Sequence, residues 1–217
     1  MDRRTFLVAA GTLAAGWGLA GPLTAESAAV ALPQPATPGD KSLEAALRAR
    51  RTRREFDSRP LPPEVLSGLL WAGWGINRPD LGKRTAPSAM NRQEVSIYVA
   101  TAEALFLYDA KTQGLVRQRD GDLRAVTGRQ PFVAQAPVNL IYVAAMGKAA
   151  GNSPEDRLEM AAVDTGCICQ NVSLYCAAMD LAQVVRASFD REALTKAMGL
   201  AAGQRVVLAQ SVGYPKA

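Results

Sequence analysis

The chain has 217 residues, 48% of them hydrophobic and 21% charged, enough for one domain with a sizeable core. Its net charge of +5 is spread along the sequence and aromatics make up only 6%, so it lacks the basic, aromatic-interleaved face of a nucleic-acid binder. It contains no histidine, which excludes Ser-His-Asp and Cys-His catalysis and most zinc and copper sites; an enzyme of this composition would draw its chemistry from a bound cofactor.

Residues 1–31 read as a targeting segment. Arg3-Arg4 is followed by Thr5-Phe6-Leu7 and a weakly apolar run, Val8 to Ala20. That is the pattern of a twin-arginine signal, with Ala29-Val30-Ala31 as a small-x-small cleavage site and Ala25 as a second one. An ordinary secretory signal or an uncleaved anchor is the alternative. Twin-arginine export carries proteins already folded, often around a cofactor. The expectation is therefore a periplasmic protein with no stable membrane span once the signal is removed. Residues 32–40 form a Pro-rich linker, and residues 41–217 the folded domain.

Asp40 can cap a helix over Lys41 to Arg50, with Leu43, Ala46 and Leu47 on one face. It runs into Arg50-Arg51-Thr52-Arg53-Arg54-Glu55-Phe56-Asp57, four arginines and a hydroxyl within five residues. Guanidinium forks and a hydroxyl suit a phosphate. The stretch reads either as a phosphate and cofactor grip or as a solvated basic loop. A second helix starts at Leu61-Pro62-Pro63, buries Val65, Leu66, Leu69, Leu70 and Trp71, and fades at Gly73-Trp74-Gly75. Residues 76–93 then read as one long polar loop, a length that often marks function.

Strands follow at Val95 to Thr101, Ala104 to Tyr108 and Gly114 to Gln118, the last two joined by a hairpin loop. A short helix is expected over Gly121 to Thr127. Phe132 to Ala136 leads into a buried strand at Val138 to Ala144. Ser153-Pro154-Glu155-Asp156 opens a helix with a serine cap, a proline at the first position and acids in the first turn. It can run to about Met179, with apolar residues on nearly every side of its second half, which predicts a buried central helix. A short apolar segment at Leu181 to Val185, a helix from about Asp190 to Met198 and a core strand at Arg205 to Val212 complete the chain. Cys167, Cys169 and Cys176 all fall on the central helix but do not converge on one point, so they read as buried thiols rather than as a copper or redox centre.

These pieces resemble a known family. Arg50-Arg51-Thr52-Arg53-Arg54-Glu55-Phe56 is similar to the signature that opens the nitroreductase family of flavoproteins. Ala86-Pro87-Ser88-Ala89-Met90-Asn91-Arg92-Gln93 resembles its second motif. Asp164-Thr165-Gly166 with Gln170-Asn171 resembles the long helix at its dimer core. Leu181 to Asp190 resembles the segment against the flavin ring, and Val212-Gly213-Tyr214-Pro215 the closing strand. The chain looks most like compact exported members near the peptide-azoline dehydrogenase branch.

The resemblance implies an α+β sandwich with a central, mostly antiparallel sheet flanked by helices, assembled as an FMN-binding homodimer. Arg50, Arg51 and Thr52 would hold the ribityl phosphate, and Arg54 the pyrimidine edge of the ring. Pro87, Ser88, Ala89 and Asn91 would approach the same flavin from the partner subunit. Gln130 would contact the ring edge. Val185, Arg186, Ala187 and Ser188 would lie along the ring, with an N–H of Ala187 or Ser188 facing N5. A glutamate-glycine pair is common in the family where this chain has Ala187-Ser188. Many members also carry a basic pair after the closing strand, where this chain has Lys216 alone; the N-terminal arginines are then expected to carry more of the phosphate. The implied activity is ping-pong hydride transfer from a reduced donor, NAD(P)H among the candidates, to a small organic acceptor such as a nitroaromatic or quinone. A flavin-binding protein without catalysis, and a thiol or copper redox protein, are the alternatives.

Overall fold

The computed structural model describes residues 29–216. The stretch up to Ala28, and with it the Arg3-Arg4 signal, lies outside the described residues. In chain order the elements are β1 (Ala29–Ala31), α1 (Leu43–Ala49), α2 (Pro63–Trp74), β2 (Ile76–Arg78), β3 (Lys83–Arg84), β4 (Val95–Ala100), β5 (Ala104–Asp109), β6 (Gly114–Asp120), α3 (Phe132–Gln135), β7 (Val138–Ala145), α4 (Pro154–Ala178), β8 (Ala182–Arg186), α5 (Arg191–Met198) and β9 (Gln204–Gly213). Seven strands form one sheet in the order β1-β6-β5-β4-β7-β9-β8. Every neighbouring pair is antiparallel, as the α+β expectation required.

β7 lies in the interior of the sheet between β4 and β9, and seven of its eight residues are buried. Alternation along the strands divides the core. Ile97, Val99, Leu140 and Tyr142 face α2 and α4, where Leu69, Leu70, Ile168 and Val172 meet them. Tyr98, Ala100, Ile141 and Val143 face the other way, towards Leu194 and Met198 of α5 and Phe189 before it. Leu69 and Leu70 are fully buried, each contributing about 1.5–3 kcal/mol of transfer free energy. The result is a sheet with helices on both faces.

α4 begins as its sequence predicts. The Ser153 hydroxyl accepts the Asp156 N–H at 3.0 Å, and the Asp156 carboxylate accepts the Ser153 N–H at 3.0 Å. The two groups satisfy each other's orphan donors in a capping box. The expectation of a helix buried on all sides is corrected. Val163, Gly166 and Gln170 are exposed, and Cys167 and Leu174 only half-buried, which leaves a stripe of small and apolar residues along α4 open in the single chain.

Four other segments differ from their sequence readings. Ala29–Ala31, read as a cleavage site, pairs with β6 at the sheet edge. The Pro-rich linker is tied to the domain: Leu32 N–H donates to Gln113 O, Ala36 N–H to Glu64 O, the Ser67 hydroxyl to Pro33 O, and the Tyr175 phenol to Ala36 O. Prolines fix such a strap in an extended form at low entropic cost. Within the long polar loop, β2 and β3 form a small antiparallel pair. The short helix expected over Gly121 to Thr127 shrinks to a single 3₁₀ turn at Arg124–Thr127.

Candidate cofactor site

The basic stretch leaves α1 in an extended conformation, because Arg50 caps the helix with its N–H on Ala46 O and then turns to φ −60°, ψ 120°. It is clamped to the sheet on both flanks. Arg53 N–H donates to Gln183 O at 2.9 Å, and Gln183 Nε2 reaches Arg51 O at 3.3 Å. Phe56 is buried and bridges to Pro215, while Lys216 N–H donates to Glu55 O. The backbone is therefore fixed while the side chains of Arg51, Thr52 and Arg54 point into solvent and Arg50 is half-buried. Among the described residues none of Arg50, Arg51, Arg53 and Arg54 forms an ion pair. Four neighbouring guanidiniums without an ion pair are charge-complementary to a phosphate. Arg53 is not the freely solvated member of the run: it is half-buried and lines a small cleft with Arg51, Ser173, Asp180 and Gln183.

The end of β8 forms a second part. Alternation puts Val185 and Ala187 outward, with Ser188 also exposed, and turns Arg186 inward. Arg186 is 5% exposed. Its guanidinium donates to the Thr127 carbonyl and to Asn139 Oδ1 at 2.8 Å, with no carboxylate in reach. Burial lowers its pKa to about 10, which leaves it charged at neutral pH. The Arg186 side chain thus lies on the side of the strand opposite Val185 and Ala187. There it ties β8 to the turn before Gly128. Arg129 N–H donates to Ser188 O at 3.0 Å, which brings Gln130 beside Ala187-Ser188. Gln130 Oε1 is buried without a hydrogen-bond partner. A buried unpaired amide oxygen is costly, and the N–H of a planar heterocycle would satisfy it.

Pro87, Ser88, Ala89 and Asn91 form a third part, on a loop built against the first half of α4. Arg84 stacks on Trp74 at 4.7 Å and donates to Trp74 O and to Gln93 Oε1 at 2.8 Å. Gln93 in turn donates to Gly82 O and Asn91 Oδ1, and its N–H is accepted by the Ser88 hydroxyl. Ala89 N–H donates to Asp164 Oδ2 at 2.8 Å. Pro87, Met90 and Asn91 face solvent.

One chain does not bring these parts together. The basic stretch abuts α4 near Ser173 and Ala177, whereas Ala89 of the motif loop abuts it at Asp164, and Thr85 just before the motif at Asn171. From Asp164 the helix rises about 14 Å to Ser173 and about 20 Å to Ala177. The basic stretch is joined to β8 through Gln183, and Gln130 lies by the far end of that strand; the motif loop is held to α4 instead.

The thiols offer no rival centre. Cys169 and Cys176 are buried and Cys167 half-buried, all three unpaired. Burial pushes the Cys169 thiol up to about 12 and Cys176 higher still, far from a reactive thiolate. The residues that the sequence reading missed are polar and buried: Glu94, Gln183 and Gln210. Their only signal was a polar residue inside an otherwise apolar strand or at its start.

The family model described as "Nitroreductase family" matches residues 47–214. A Methanocaldococcus jannaschii protein described as a candidate nitroreductase is 30% identical over 161 residues, covering 69% of this chain and 81% of that protein. The crystal structure of a candidate nitroreductase from Ralstonia eutropha superimposes with a TM-score of 0.82 at 37% identity, over 87% of this chain and 90% of that one. A chain of the E. coli microcin synthetase complex McbBCD shares the fold, with a TM-score of 0.67 at 18% identity, over 83% of this chain and 77% of that one. The basic stretch, the loop before β4, the long α4 and the closing strand β9 all fall within the matched region, and the chain belongs to the nitroreductase family.

Proposed function

We propose that this protein is an FMN-dependent oxidoreductase that works as a homodimer in the periplasm, taking hydride from a reduced donor and passing it to a small organic acceptor in the same site. The observation that carries the reading is a run of guanidiniums without ion pairs among the described residues, whose backbone is clamped to Gln183 of β8, the strand whose exposed end lies beside Gln130. When bound, FMN supplies two-electron chemistry at N5 of its ring.

The residues fit that cofactor. Arg50, Arg51 and Thr52 would bind its phosphate, in a stretch whose backbone is already fixed. Arg54 would set a positive charge against the pyrimidine edge, where negative charge gathers on reduction. Gln130 Oε1 would accept a ring N–H. Ala187 and Ser188 lie just past the last paired residue of β8, so their backbone donors are available to hold the ring. The Ala187-Ser188 pair leaves no acidic side chain there, so no proton transfer is assigned to this position.

The separation of the loop from the basic stretch supports a two-chain site. Pro87, Ser88, Ala89 and Asn91 of one subunit would meet the flavin held by the other. The open stripe on α4 is the surface that two such subunits would share. NAD(P)H is one candidate donor; nitroaromatics and quinones are candidate acceptors. Absorbance of the purified protein tests the cofactor, and anaerobic reduction followed by mixing with a panel of acceptors tests turnover. An oxidised-flavin spectrum that bleaches with a donor and returns with an acceptor is expected. A colourless protein that takes up no added FMN overturns the proposal. A protein that binds FMN but turns over no pair of substrates supports the non-catalytic alternative.

A further inference from the structure

Glu94 stands where the loop enters β4. It is 2% exposed, and neither of its carboxylate oxygens has a hydrogen-bond partner. Asp164 of α4, 5% exposed, acts on it from close by, and Asp164 Oδ2 accepts the Ala89 N–H. Among the described residues neither carboxylate forms an ion pair. From β3, Arg84 is spent on Gln93 and Trp74; Arg92 of the loop is exposed; from β7 only the Ala145 backbone meets Glu94, its N–H donating to Glu94 O. Two carboxylates in one dry place cannot both stay ionised. A protonated carboxyl, by contrast, finds its acceptor in the other group's free oxygen.

The loop that this pair touches is strained. Met90, Asn91 and Gln93 have φ of 52°, 54° and 48°, a region that non-glycine residues adopt only when their surroundings impose it. The contact from Asp164 to Ala89 N–H is the bond that joins this strained turn to α4.

We propose that a protonated Glu94 donates to Asp164 and that the two act as a latch that holds Ala89 and the strained loop in place against α4. Glu94 is a positioning residue. It touches no substrate; it keeps Asp164 from facing a second charge, and so lets Asp164 hold Ala89. Insofar as the loop serves the partner's flavin, this rests on the function proposed above, but the latch itself is a property of the apoprotein. Burial, then Asp164, raise Glu94 from the ordinary 4.5 to about 7. A carboxyl raised on folding stabilises below its unfolded value, and that contribution is lost as pH rises through its folded one. The latch is therefore closed in mildly acidic solution and opens above about pH 7.

Hydrogen exchange of the full chain, read over residues 86–93 between about pH 5.5 and 8.5 and corrected for intrinsic rates, tests this. Wild-type protection of that segment should fall about tenfold across pH 7, while segments of β7 stay unchanged. Glu94→Gln donates permanently to Asp164 and should hold protection flat across the range. Asp164→Asn, which accepts from Ala89 and donates to Glu94, should do the same and serves if the first variant folds poorly. A flat wild-type profile, or the same pH-dependent fall in both variants, overturns the latch. FMN affinity measured alongside separates the two readings. Absent binding with the exchange pattern intact removes the cofactor proposal and leaves the latch standing.

Discussion

The phenol of Tyr142 on β7 donates to Gln210 Oε1 on β9 at 2.6 Å, and both side chains are fully buried. Gln210 Nε2 then donates to Gln183 Oε1 at 2.9 Å and to the Ser173 hydroxyl at 3.2 Å, and Gln183 Nε2 to Arg51 O. A buried chain of hydrogen bonds thus runs from the interior of the sheet to the basic stretch. Such networks fix one geometry only when every member is satisfied. Gln210→Leu leaves the Tyr142 and Ser173 hydroxyls without this partner. It should cost about 1–3 kcal/mol in denaturant unfolding and weaken FMN binding as well, because Gln183 loses its anchor. A variant of unchanged stability would show that the network carries no load.

Arg50→Ala and Arg51→Ala should separate binding from folding. Neither guanidinium is paired within the described residues, so unfolding free energies should stay within about 0.5 kcal/mol of wild type. FMN affinity should fall about 10- to 100-fold per residue, as expected for a lost charge-assisted hydrogen bond of about 1.5–3 kcal/mol. Fluorescence titration of the apoprotein measures it. An unchanged dissociation constant removes that residue from the phosphate site.

Gly166 probes the open stripe of α4. A β-carbon placed there meets nothing within 4 Å in the single chain, and leaving glycine favours a helix by up to about 1 kcal/mol. Gly166→Leu should therefore leave the subunit folded while opening a helix-to-helix contact between subunits. Light scattering should show a smaller particle than wild type, and FMN retention should fall with it. A wild-type dimer that survives the change would put the subunit contact elsewhere.

The edge strand β1 bears on processing. Cleavage after Ala31 would remove Ala29–Ala31 from their ladder on β6, whereas cleavage after Ala25 leaves all three paired. If the export proposed above takes place, the intact mass of the mature protein should match a chain that begins at Glu26. A chain that begins at Leu32 would show that the mature domain manages without β1.

Much of this was legible in order along the chain. The 3.6-residue stripes of α2 and α5, the cap of α4 at Ser153 and the apolar runs of β4, β7 and β9 each carry their own local signal, so sequence alone placed them to within a few residues. The same holds for the crowding of Arg50, Arg51, Thr52 and Arg54, since neighbours in sequence are neighbours in space. The inward side of Arg186 was not legible, because it depends on strand parity, which shifts with a single residue of register. Val185 and Ala187 face out only because β8 pairs with β9 in this register.

What sequence determined by itself is therefore the list of parts: an α+β domain, a basic stretch and a motif loop. Tertiary structure alone decided which of them meet. Gln183 joins Arg51 across 132 positions, and Asp164 takes hold of Ala89 across 75. Those partnerships arise when the sheet and α4 close on each other. Hydrophobic periodicity reports which face is buried, but a buried carboxyl or amide is defined by its partner, and local sequence holds no record of that partner.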